Sequence, residues 1–237
     1  MRFLGYEVQR YDERDGLSRR LTPMLRDLEI RHVIDVGANT GQFASKIRGC
    51  NFQGHIDSFE PARQAFERLR AATADDPHWT GHQVALSSTK GDAKLHLHDD
   101  SSLNSLSPTT VAGDRLFASI GSRASTLTEV VRLARLDEVE LPDHGATLLK
   151  LDTQGHDFEV IDGAGAVLDR CRLLLIELAF VGLYASSIPA PESLARLGAL
   201  GYDLVDLFPI SRDERTDLTL VEADGIFVRR VDRTLPQ

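Results

Sequence analysis

The fold prediction depends above all on residues 33–43 of the 237-residue chain, Val33-Ile34-Asp35-Val36-Gly37-Ala38-Asn39-Thr40-Gly41-Gln42-Phe43. Its first half is rich in β-branched apolar residues and predicts a short buried strand, and its end predicts the start of a helix. Between them Gly37 and Gly41 form a Gly-x-x-x-Gly turn, in which the backbone can pass close to a ligand because neither glycine carries a side chain. In a parallel sheet such a turn lies at the carboxyl edge, where ligands bind.

The spacing of these glycines narrows the class of ligand. It is not the Gly-x-Gly-x-x-Gly of dinucleotide-binding proteins, and no Gly-Lys-[Ser/Thr] follows it, so the segment is not a phosphate-binding P-loop. Asp35 lies near the end of the predicted strand. A buried acid there suits the ammonium of an amino-acid-like ligand, directly or through water, better than it suits a phosphate. The alternative is a strand–turn–helix whose glycines serve packing only.

Strands and helices alternate along the chain, and several predicted strands are continuous apolar runs, as in a parallel sheet covered by helices on both faces. The sequence therefore predicts an α/β fold with a doubly wound, mostly parallel sheet. It also predicts a single domain over residues 1–237, with an N-terminal helical extension at about residues 1–31. The predicted strands cover residues 32–37, 54–60, 82–86, 93–98, 126–136, 147–152, 172–178, 202–208 and 225–231, the last two pairing antiparallel. The predicted helices cover residues 41–48, 158–168 and 191–200, with one more beginning at Pro23 after Thr22 as its N-cap and another beginning at Pro61.

The composition excludes some partners. The net charge is −9 and the pI is about 5.4, and since an acidic surface repels phosphate backbones we expect no nucleic-acid partner. Cys50 and Cys171 lack metal-binding spacing and make no disulfide framework, which favours a reducing compartment. The first residues contain no signal-peptide apolar segment, and the longest apolar run, residues 173–183, is too short to span a bilayer. We therefore expect a cytoplasmic protein with no membrane span.

Glu60 ends the second predicted strand, about 20 residues after the glycine turn. A carboxylate at that position takes both hydroxyls of an adenosine ribose in proteins of this architecture. The alternative is an acid that interacts with the dipole of the helix beginning at Pro61. Together with the glycine turn, the position favours binding of a ribose.

Four segments carry a resemblance to a known family: Ile56-Asp57-Ser58-Phe59-Glu60-Pro61, residues 83–87 (QVALS), residues 149–164 (LKLDTQGHDFEVIDGA) and residues 174–178 (LLIEL). In combination with the glycine turn they resemble the FkbM family of class I S-adenosylmethionine-dependent methyltransferases, over roughly residues 30–230. The resemblance implies a Rossmann-like sheet of seven strands in the order 3-2-1-4-5-7-6, with strand 7 antiparallel. It also implies S-adenosylmethionine as cofactor and O-methylation of a hydroxyl on a sugar or glycosylated metabolite.

The resemblance also assigns residues to the cofactor. The glycine turn shapes the pocket for the methionine part, the acid after the second strand holds the ribose, and the ALS segment lies beside the adenine. The implied cofactor-binding residues are Asp35, Gly37, Asn39, Gly41, Phe43, Glu60, Pro61, Ala85, Leu86 and Asp152. The last of these ends the central strand, where the acceptor meets the methyl group.

Three residues are candidates for catalysis, because an alcohol is a poor nucleophile until its proton is partly removed. Asp152 is a candidate general base or metal ligand, and His156 is a candidate base near neutral pH. Lys150 would lower the pKa of the acceptor, or pair with Asp152 as a structural ion pair on the same strand face. His156 alternatively lies exposed in a turn. Magnesium, with Asp157 and Glu177 as further oxygen ligands, is not favoured because the carboxylates lack a cluster spacing, so we predict no metal site.

The polar stretch of residues 99–125 is predicted to be a loop near the substrate, since loops of this length are usually functional or flexible. Within it Asn104 and Ser105 either contact cofactor or acceptor hydroxyls or are ordinary turn residues. The N-terminal helix would form a lid or a homodimer contact. The expected partner is a small-molecule or glycosylated substrate. The alternatives are methylation of a non-sugar hydroxyl or of nitrogen, and a non-catalytic cofactor-binding scaffold.

Overall fold

The computed structural model describes residues 2–3, 6–7, 16–122, 124–212 and 219–230. The strands are β1 (Arg2–Phe3), β2 (Tyr6–Glu7), β3 (His32–Val36), β4 (His55–Phe59), β5 (Trp79–His82), β6 (Ala85–Leu86), β7 (Gly91–His98), β8 (Ala124–Ala134), β9 (Thr147–Leu151), β10 (Cys171–Ala179), β11 (Tyr202–Arg212) and β12 (Leu220–Arg229). The α-helices are α1 (Gly16–Asp27), α2 (Gln42–Gly49), α3 (Arg63–Thr73), α4 (Val111–Ser119), α5 (Asp157–Asp162), α6 (Val167–Arg170) and α7 (Ala190–Ala199). Short 3-10 turns cover Ser101–Leu103 and Leu136–Glu138.

A seven-stranded sheet forms the centre of the molecule, in the order β11-β12-β10-β9-β3-β4-β5. Strand β12 runs antiparallel to both of its neighbours, and the pairs from β10 to β5 are parallel. Numbered along the chain, this is the predicted order 3-2-1-4-5-7-6 with the seventh strand antiparallel, so the fold prediction is confirmed. From β3 the chain adds strands toward one edge of the sheet, and from β9 it adds them toward the other edge. The boundary between β3 and β9 is therefore a topological switch point, where ligands bind in such sheets.

Both faces of the sheet are covered, which explains the apolar runs in the sequence. Every residue of β3 and of β9 is buried, and successive residues point to opposite faces. On one face Ile34 packs in a core that includes residues of α5 and α7. On the other face Val33 packs with residues of α1, α2 and α3. Helix α1 therefore packs against the sheet through Leu21 and Leu25.

A second sheet of three strands, in the order β6-β8-β7, lies beside α3. It corrects the prediction of one strand at residues 82–86, because this segment is divided between the two sheets. The third strand of the large sheet is β5, which begins at Trp79, a residue that is buried and donates a hydrogen bond from its ring nitrogen to Ser58 Oγ at 3.0 Å. The pattern Trp-Thr-Gly-His alternates too weakly to be recognised as a strand.

Two predicted helix starts are wrong. Helix α1 begins at Gly16 and continues through Pro23. The hydroxyl of Thr22 does not cap a helix there but donates to the Ser18 carbonyl, four residues earlier, at 2.8 Å. Pro61 lies two residues before α3, whose N-cap is Ala62.

Two other segments also differ from prediction. The helix predicted at residues 158–168 is divided into α5 and α6 around Gly163, where a Cβ atom would lie 2.1 Å from the Ser87 carbonyl oxygen. This close approach of two backbones ends α5. The polar stretch of residues 99–125 contains helix α4, capped by the Thr110 hydroxyl, which accepts from the Gly113 amide.

Candidate functional site

A cleft of about 310 Å³ lies where β3, β4 and β9 end. Most of the residues predicted from the sequence to bind or react line it. These are Gly37, Asn39, Phe43, Glu60, Pro61, Ala85, Leu86, Lys150, Asp152 and His156. Asp35 and Gly41 lie outside its lining. The topology thus brings together residues that are more than 100 positions apart in the chain.

The glycine turn is shaped by close backbone contacts. Gly37 has φ 73°, and a Cβ atom there would lie 1.8 Å from the carbonyl oxygen of Asp152. The Asp152 amide donates to the Val36 carbonyl at 3.2 Å, which holds the two strand ends together. Gly41, with φ 89°, packs against the Trp79 ring, from which a Cβ atom would lie 2.9 Å. The absence of a side chain at Gly37 therefore lets the two backbone segments at the cleft approach each other. The absence of a side chain at Gly41 instead leaves room for the Trp79 ring behind the cleft.

Glu60 is fixed by two backbone amides. Its Oε2 atom accepts from the Asn39 amide and its Oε1 atom accepts from the Ala62 amide, each at 2.8 Å. Burial raises the pKa of Glu60 to about 7, although both hydrogen bonds oppose the rise. The carboxylate lines the cleft and also accepts from the N-cap amide of α3. The interpretation as an acid at the start of this helix therefore matches its contacts, and binding of a ribose stays a prediction.

Lys150 joins the strand ends beneath the cleft. Its Nζ atom lies 3.0 Å from Asp35 Oδ1 and 3.5 Å from Asp152 Oδ2, and it donates to the Gly37 carbonyl at 2.9 Å. Burial disfavours the charged form, but Asp35 and Asp152 prevail and raise the pKa of Lys150 above its ordinary value. Lys150 therefore stays protonated and cannot act as a base.

The position of Asp35 changes what this acid can do. Its side chain is fully buried and faces Lys150 rather than the cleft. The sequence predicts that Asp35 binds the ammonium of a ligand either directly or through water. Direct contact does not match this geometry. Asp35 instead supplies the charge that keeps the ammonium of Lys150 in place.

Asp152 presents its carboxylate to the cleft, with 41% of its side chain exposed. Its Oδ1 atom accepts from Gln154 Nε2 at 2.8 Å. The carbonyl of Gln154 in turn accepts from the Ser105 hydroxyl at 2.7 Å. The carboxylate is thus oriented by Gln154, and the segment around Ser105 is held against it.

His156 also lines the cleft. Its Nε2 atom lies 3.1 Å from Ser87 Oγ, and its Nδ1 atom lies 3.7 Å from Glu159 Oε2. Burial lowers the pKa of His156, with Glu159 opposing this. The ring is therefore neutral near pH 7 and its orientation is set by two neighbours, so it is not merely exposed in a turn.

The carboxylates considered for magnesium do not converge. Asp157 Oδ1 accepts from the Thr153 amide at 2.9 Å and from the Thr153 hydroxyl at 2.7 Å. It lines a separate, smaller pocket together with Glu177, whereas Asp152 lines the large cleft. Within the described part of the chain, no three His, Cys, Asp or Glu residues are grouped so that they could hold a metal ion.

The segment of residues 101–106 covers part of the cleft. Ser101 Oγ donates to Asn39 Oδ1 at 2.9 Å, which ties this segment to the glycine turn. Asn104 and Ser105 line the cleft, but Asn104 Oδ1 also accepts from the His98 amide at 2.8 Å, as a turn residue does. The turn role of Asn104 is therefore confirmed, and its contact with cofactor or acceptor hydroxyls stays a prediction.

Sequence reasoning missed several residues of the lining. Among them are Leu17 on α1, Lys46 on α2 and Asp224 on β12. Lys46 follows Phe43 by three residues, so helical spacing places it on the same helix face. For Asp224 the sequence carried no signal, because its position depends on the placement of β12 next to β10.

The fold and the cleft define a methyltransferase-like class: a sheet with a reversed seventh strand, a glycine turn after its first strand and an acid after its second. The family model described as the Methyltransferase FkbM domain matches residues 35–204. The chain belongs to this family, so the resemblance seen in the sequence is confirmed.

Two known proteins illustrate the similarity. The chain is 25% identical over 174 residues to Hexuronic acid methyltransferase AglP of Haloferax volcanii, a match over 73% of this chain and 66% of that relative. The chain therefore matches slightly less than two thirds of the relative's length. The crystal structure of magnesium protoporphyrin IX methyltransferase from Synechocystis PCC 6803 with bound SAM has a TM-score of 0.50 at 9% identity, covering 94% of this chain and 87% of that chain. At that identity the likeness concerns the fold alone. No described helix has the length and apolar character needed to cross a membrane.

Proposed function

We propose that this protein transfers a methyl group from S-adenosylmethionine to a hydroxyl of a sugar or glycosylated metabolite. The observation that carries the proposal is the joint position of Glu60 and Asp152 at the two sides of the Gly37 turn, in one cleft. Membership of the FkbM methyltransferase family supports methyl transfer. The name of the relative from Haloferax volcanii, a hexuronic acid methyltransferase, supports a sugar as the acceptor.

The lining of the cleft offers a surface of suitable chemistry for each part of the cofactor. Val84, Ala85 and Leu86 offer apolar surface for the adenine ring. The Glu60 oxygens each use one hydrogen bond to the backbone and keep further lone pairs for the ribose hydroxyls. The turn at Gly37 leaves room for the methionine part.

The cofactor supplies an electrophilic sulfonium methyl, so the C–S bond breaks as the O–C bond forms and S-adenosylhomocysteine remains. The protein aligns the acceptor hydroxyl and takes its proton. Asp152, held by Gln154 and partly exposed to the cleft, is the proposed base. His156, kept neutral by burial, is the second candidate. Lys150 is a positioning residue, since its ammonium is engaged by Asp35 and the Gly37 carbonyl.

The first test is calorimetric titration with S-adenosylmethionine and, separately, with S-adenosylhomocysteine. Micromolar affinity for both is expected, and failure to bind either at millimolar concentration would remove the proposed function. Methyl glycosides and glycuronides are then screened as acceptors by release of S-adenosylhomocysteine, with and without magnesium.

The roles of the two candidate bases are separated by substitution. Asp152→Asn is expected to lower kcat by about 10²–10⁴-fold while its affinity for S-adenosylhomocysteine stays near that of the wild type. His156→Gln is expected to retain most of the turnover. The reverse result would assign the base to His156, and near-normal turnover in both variants would contradict general-base catalysis by either residue.

A further inference from the structure

Four histidines lie at the amino edge of the large sheet, opposite to the edge that carries the cleft. His32 and His55 are the first residues of β3 and β4, His78 immediately precedes β5, and His144 lies three residues before β9. These strands are parallel neighbours in the order β9-β3-β4-β5. Since the amino ends of parallel strands share one edge, the topology collects the four side chains into a group, which we call the histidine row.

The rings of the histidine row pack against one another. The His55 and His144 rings are stacked, with their centroids 4.5 Å apart and their planes at 21°. The His32 ring meets the His144 ring edge to face, with the centroids 5.1 Å apart, and the His78 ring lies 6.4 Å from that of His55. Stacked rings turn their faces rather than their nitrogens to each other, and the described part of the chain holds no group of side chains suited to a metal ion. A metal therefore does not account for the row.

One carboxylate serves several of these rings. Asp57 accepts a hydrogen bond at 2.7 Å from His32 Nε2 on one oxygen, and one of the same length from His82 Nε2 of β5 on the other oxygen. Its Oδ2 atom also lies 3.8 Å from His55 Nε2. A single negative charge shared by three imidazoles cannot neutralise more than one imidazolium. Protons added to the row beyond the first therefore meet uncompensated positive charge.

Two nitrogens of the row also lack an acceptor. His32 Nδ1 and His144 Nε2 are buried, and neither makes a hydrogen bond to any residue that the structure describes. An imidazolium carries an N–H donor on both ring nitrogens. Because a buried donor without an acceptor is costly, the packing of these two rings favours their neutral form.

The charges around the two stacked rings act in the same direction. Burial lowers the pKa of His55 and of His144, the neighbouring cations and rings add to the fall, and two acids oppose it. The groups that face these rings from the surrounding elements are His32, Asp57, His78, Asp143 and Arg170. With folded-state pKa values below the ordinary 6.5, the stabilisation from neutral rings is present above about pH 6.5 and is lost as the pH falls, since the unfolded chain then binds more protons.

Backbone hydrogen bonds close the same edge of the sheet. The Arg31 amide donates to the Ala146 carbonyl at 2.8 Å, the His55 amide to the Arg31 carbonyl at 2.9 Å, and the Ile56 amide to the His78 carbonyl at 2.8 Å. Each of these bonds joins two segments that carry rings of the histidine row. Repulsion between charged rings therefore acts directly on the bonds that hold the amino ends together.

We propose that the histidine row is an acid-sensitive latch that opens the amino edge of the sheet when its rings become charged. While the rings are neutral they stack, and the edge stays closed. Below about pH 6.5 protons enter rings that share one carboxylate, and the amino ends of β3, β4 and β9 separate in a local opening. The latch lies away from the cleft and does not depend on the proposed function.

The test measures amide hydrogen exchange of the full chain by NMR at pH 7.5 and at pH 5.8, which is above the pI of about 5.4. Each rate is divided by the intrinsic rate of an unfolded chain at the same pH. A histidine of ordinary pKa that must be neutral to close the edge changes the opening equilibrium at most about fivefold over this range. We expect about threefold from each stacked ring, so the protection factors of the Arg31 and Ile56 amides should fall about tenfold.

The carboxyl edge supplies the internal reference. The Gly37 and Asp152 amides donate to backbone carbonyls there, at 3.1 Å and 3.2 Å, and their protection factors are expected not to fall. This comparison within one molecule is needed because burial raises the pKa of Glu60 and of Asp157, which makes the fold as a whole more stable as the pH falls and opposes the effect of the histidines.

Substitutions assign the effect to the rings. His144→Gln and His55→Gln each remove one titrating ring and are expected to reduce the tenfold fall at Arg31 and Ile56 to about threefold. His96→Gln is the matched control, because His96 is a half-buried histidine of β7 outside the row, and it should leave the tenfold fall unchanged. Equal changes at both edges of the wild-type sheet, or no fall at the amino edge, would overturn the inference, as would His144 and His55 variants that behave like the wild type. Cofactor binding enters none of these outcomes.

Discussion

At the scale of single residues, the cleft is built from acids whose protonation depends on what they contact. Glu60 is buried, and burial raises its pKa to about 7. The ribose hydroxyls of a bound cofactor would donate to the ionised form and so lower this pKa. With the ribose placed as proposed, the protonation of Glu60 is therefore expected to be coupled to cofactor binding.

This coupling gives a measurable prediction. Below pH 7 the free protein carries a partly protonated Glu60, and binding of S-adenosylhomocysteine should expel that proton. Calorimetry at pH 6 in buffers of different ionisation enthalpy is expected to show proton release by the wild type. Glu60→Gln, which has no proton to release, should bind more weakly and show a smaller release, and equal release by both proteins would place the ribose elsewhere.

Glu60 also contributes to stability, and the sign of its pH dependence follows from the direction of its pKa. Since the folded-state pKa lies above the ordinary value of 4.5, the folded protein binds more protons than the unfolded chain between about pH 4.5 and pH 7. The contribution of Glu60 is therefore most favourable below pH 4.5 and is lost as the pH rises through 7. An alanine at this position would also leave the Asn39 and Ala62 amides without their acceptor.

Substitution of Lys150 gives a prediction about the stability of the fold rather than about the reaction. Lys150→Met leaves the Asp35 carboxylate buried without its cation, which should lower the free energy of unfolding by about 3–5 kcal/mol. Urea denaturation measures the loss. The control is Lys90→Met, which removes an exposed lysine paired with Glu138 and should change little. Equal effects of the two substitutions would show that the buried ion pair does not hold the strand ends together.

At the scale of elements, the glycine turn depends on Gly37, where a side chain would be tolerated less well than at a glycine of similar φ elsewhere. Gly37→Ala adds a Cβ atom 1.8 Å from the Asp152 carbonyl oxygen, in addition to the strain of φ 73°. Gly121 has a similar φ of 80°, but a Cβ atom there would meet none of the described atoms within 4 Å. Gly121→Ala is thus a matched control that carries only the backbone strain of about 1–2 kcal/mol.

We expect Gly37→Ala to destabilise the protein by clearly more than Gly121→Ala and to abolish binding of S-adenosylhomocysteine. Thermal unfolding and calorimetric titration of the two variants measure these effects. Equal Tm values in the two variants would mean that the turn can move away from Asp152 without cost. Retained cofactor affinity in the Gly37 variant would remove the turn from the proposed binding site.

The elements also show what a sequence can and cannot reveal. Strands β3 and β9 were predictable because both of their faces are buried and three of the five residues in each are branched apolar residues. Strand β5 was not, because Trp79 carries its burial almost alone and the residues after it are polar or small. The extent of α1 was missed because Pro23 suggested a helix start, although the helix accommodates it. The division at Gly163 depends on contact with Ser87, which lies 76 positions earlier in the chain.

At the scale of the whole molecule, the order of the strands decides which residues meet. The motifs of the proposed cofactor site follow strands that the sequence identifies, so most of the predicted residues line the cleft. Asp224 belongs to the site only because β12 inserts between β10 and β11, and no local pattern encodes that insertion. The homodimer contact considered for the N-terminal helix stays a prediction.

The distribution of charge over the molecule gives the last prediction. The chain carries a net charge of −9, and the cleft contains the acids Glu60, Asp152 and Asp224 against Lys150 and Lys46. The resulting field favours a cationic ligand over a neutral one of the same shape. S-adenosylmethionine and S-adenosylhomocysteine form such a pair, since they differ by a methyl group and one positive charge.

Raising the salt concentration from about 0.01 M to about 1 M shortens the Debye length from roughly 30 Å to 3 Å and screens this field. Over that range the affinity for S-adenosylmethionine should fall about twofold to fivefold more than the affinity for S-adenosylhomocysteine. Titrations of both ligands at each salt concentration measure the difference, and the neutral ligand controls for effects of salt on the fold. If the two affinities change in parallel, the acids of the cleft are neutralised by protons or by their own lysines, and the attraction of the cofactor does not depend on the charge of the molecule.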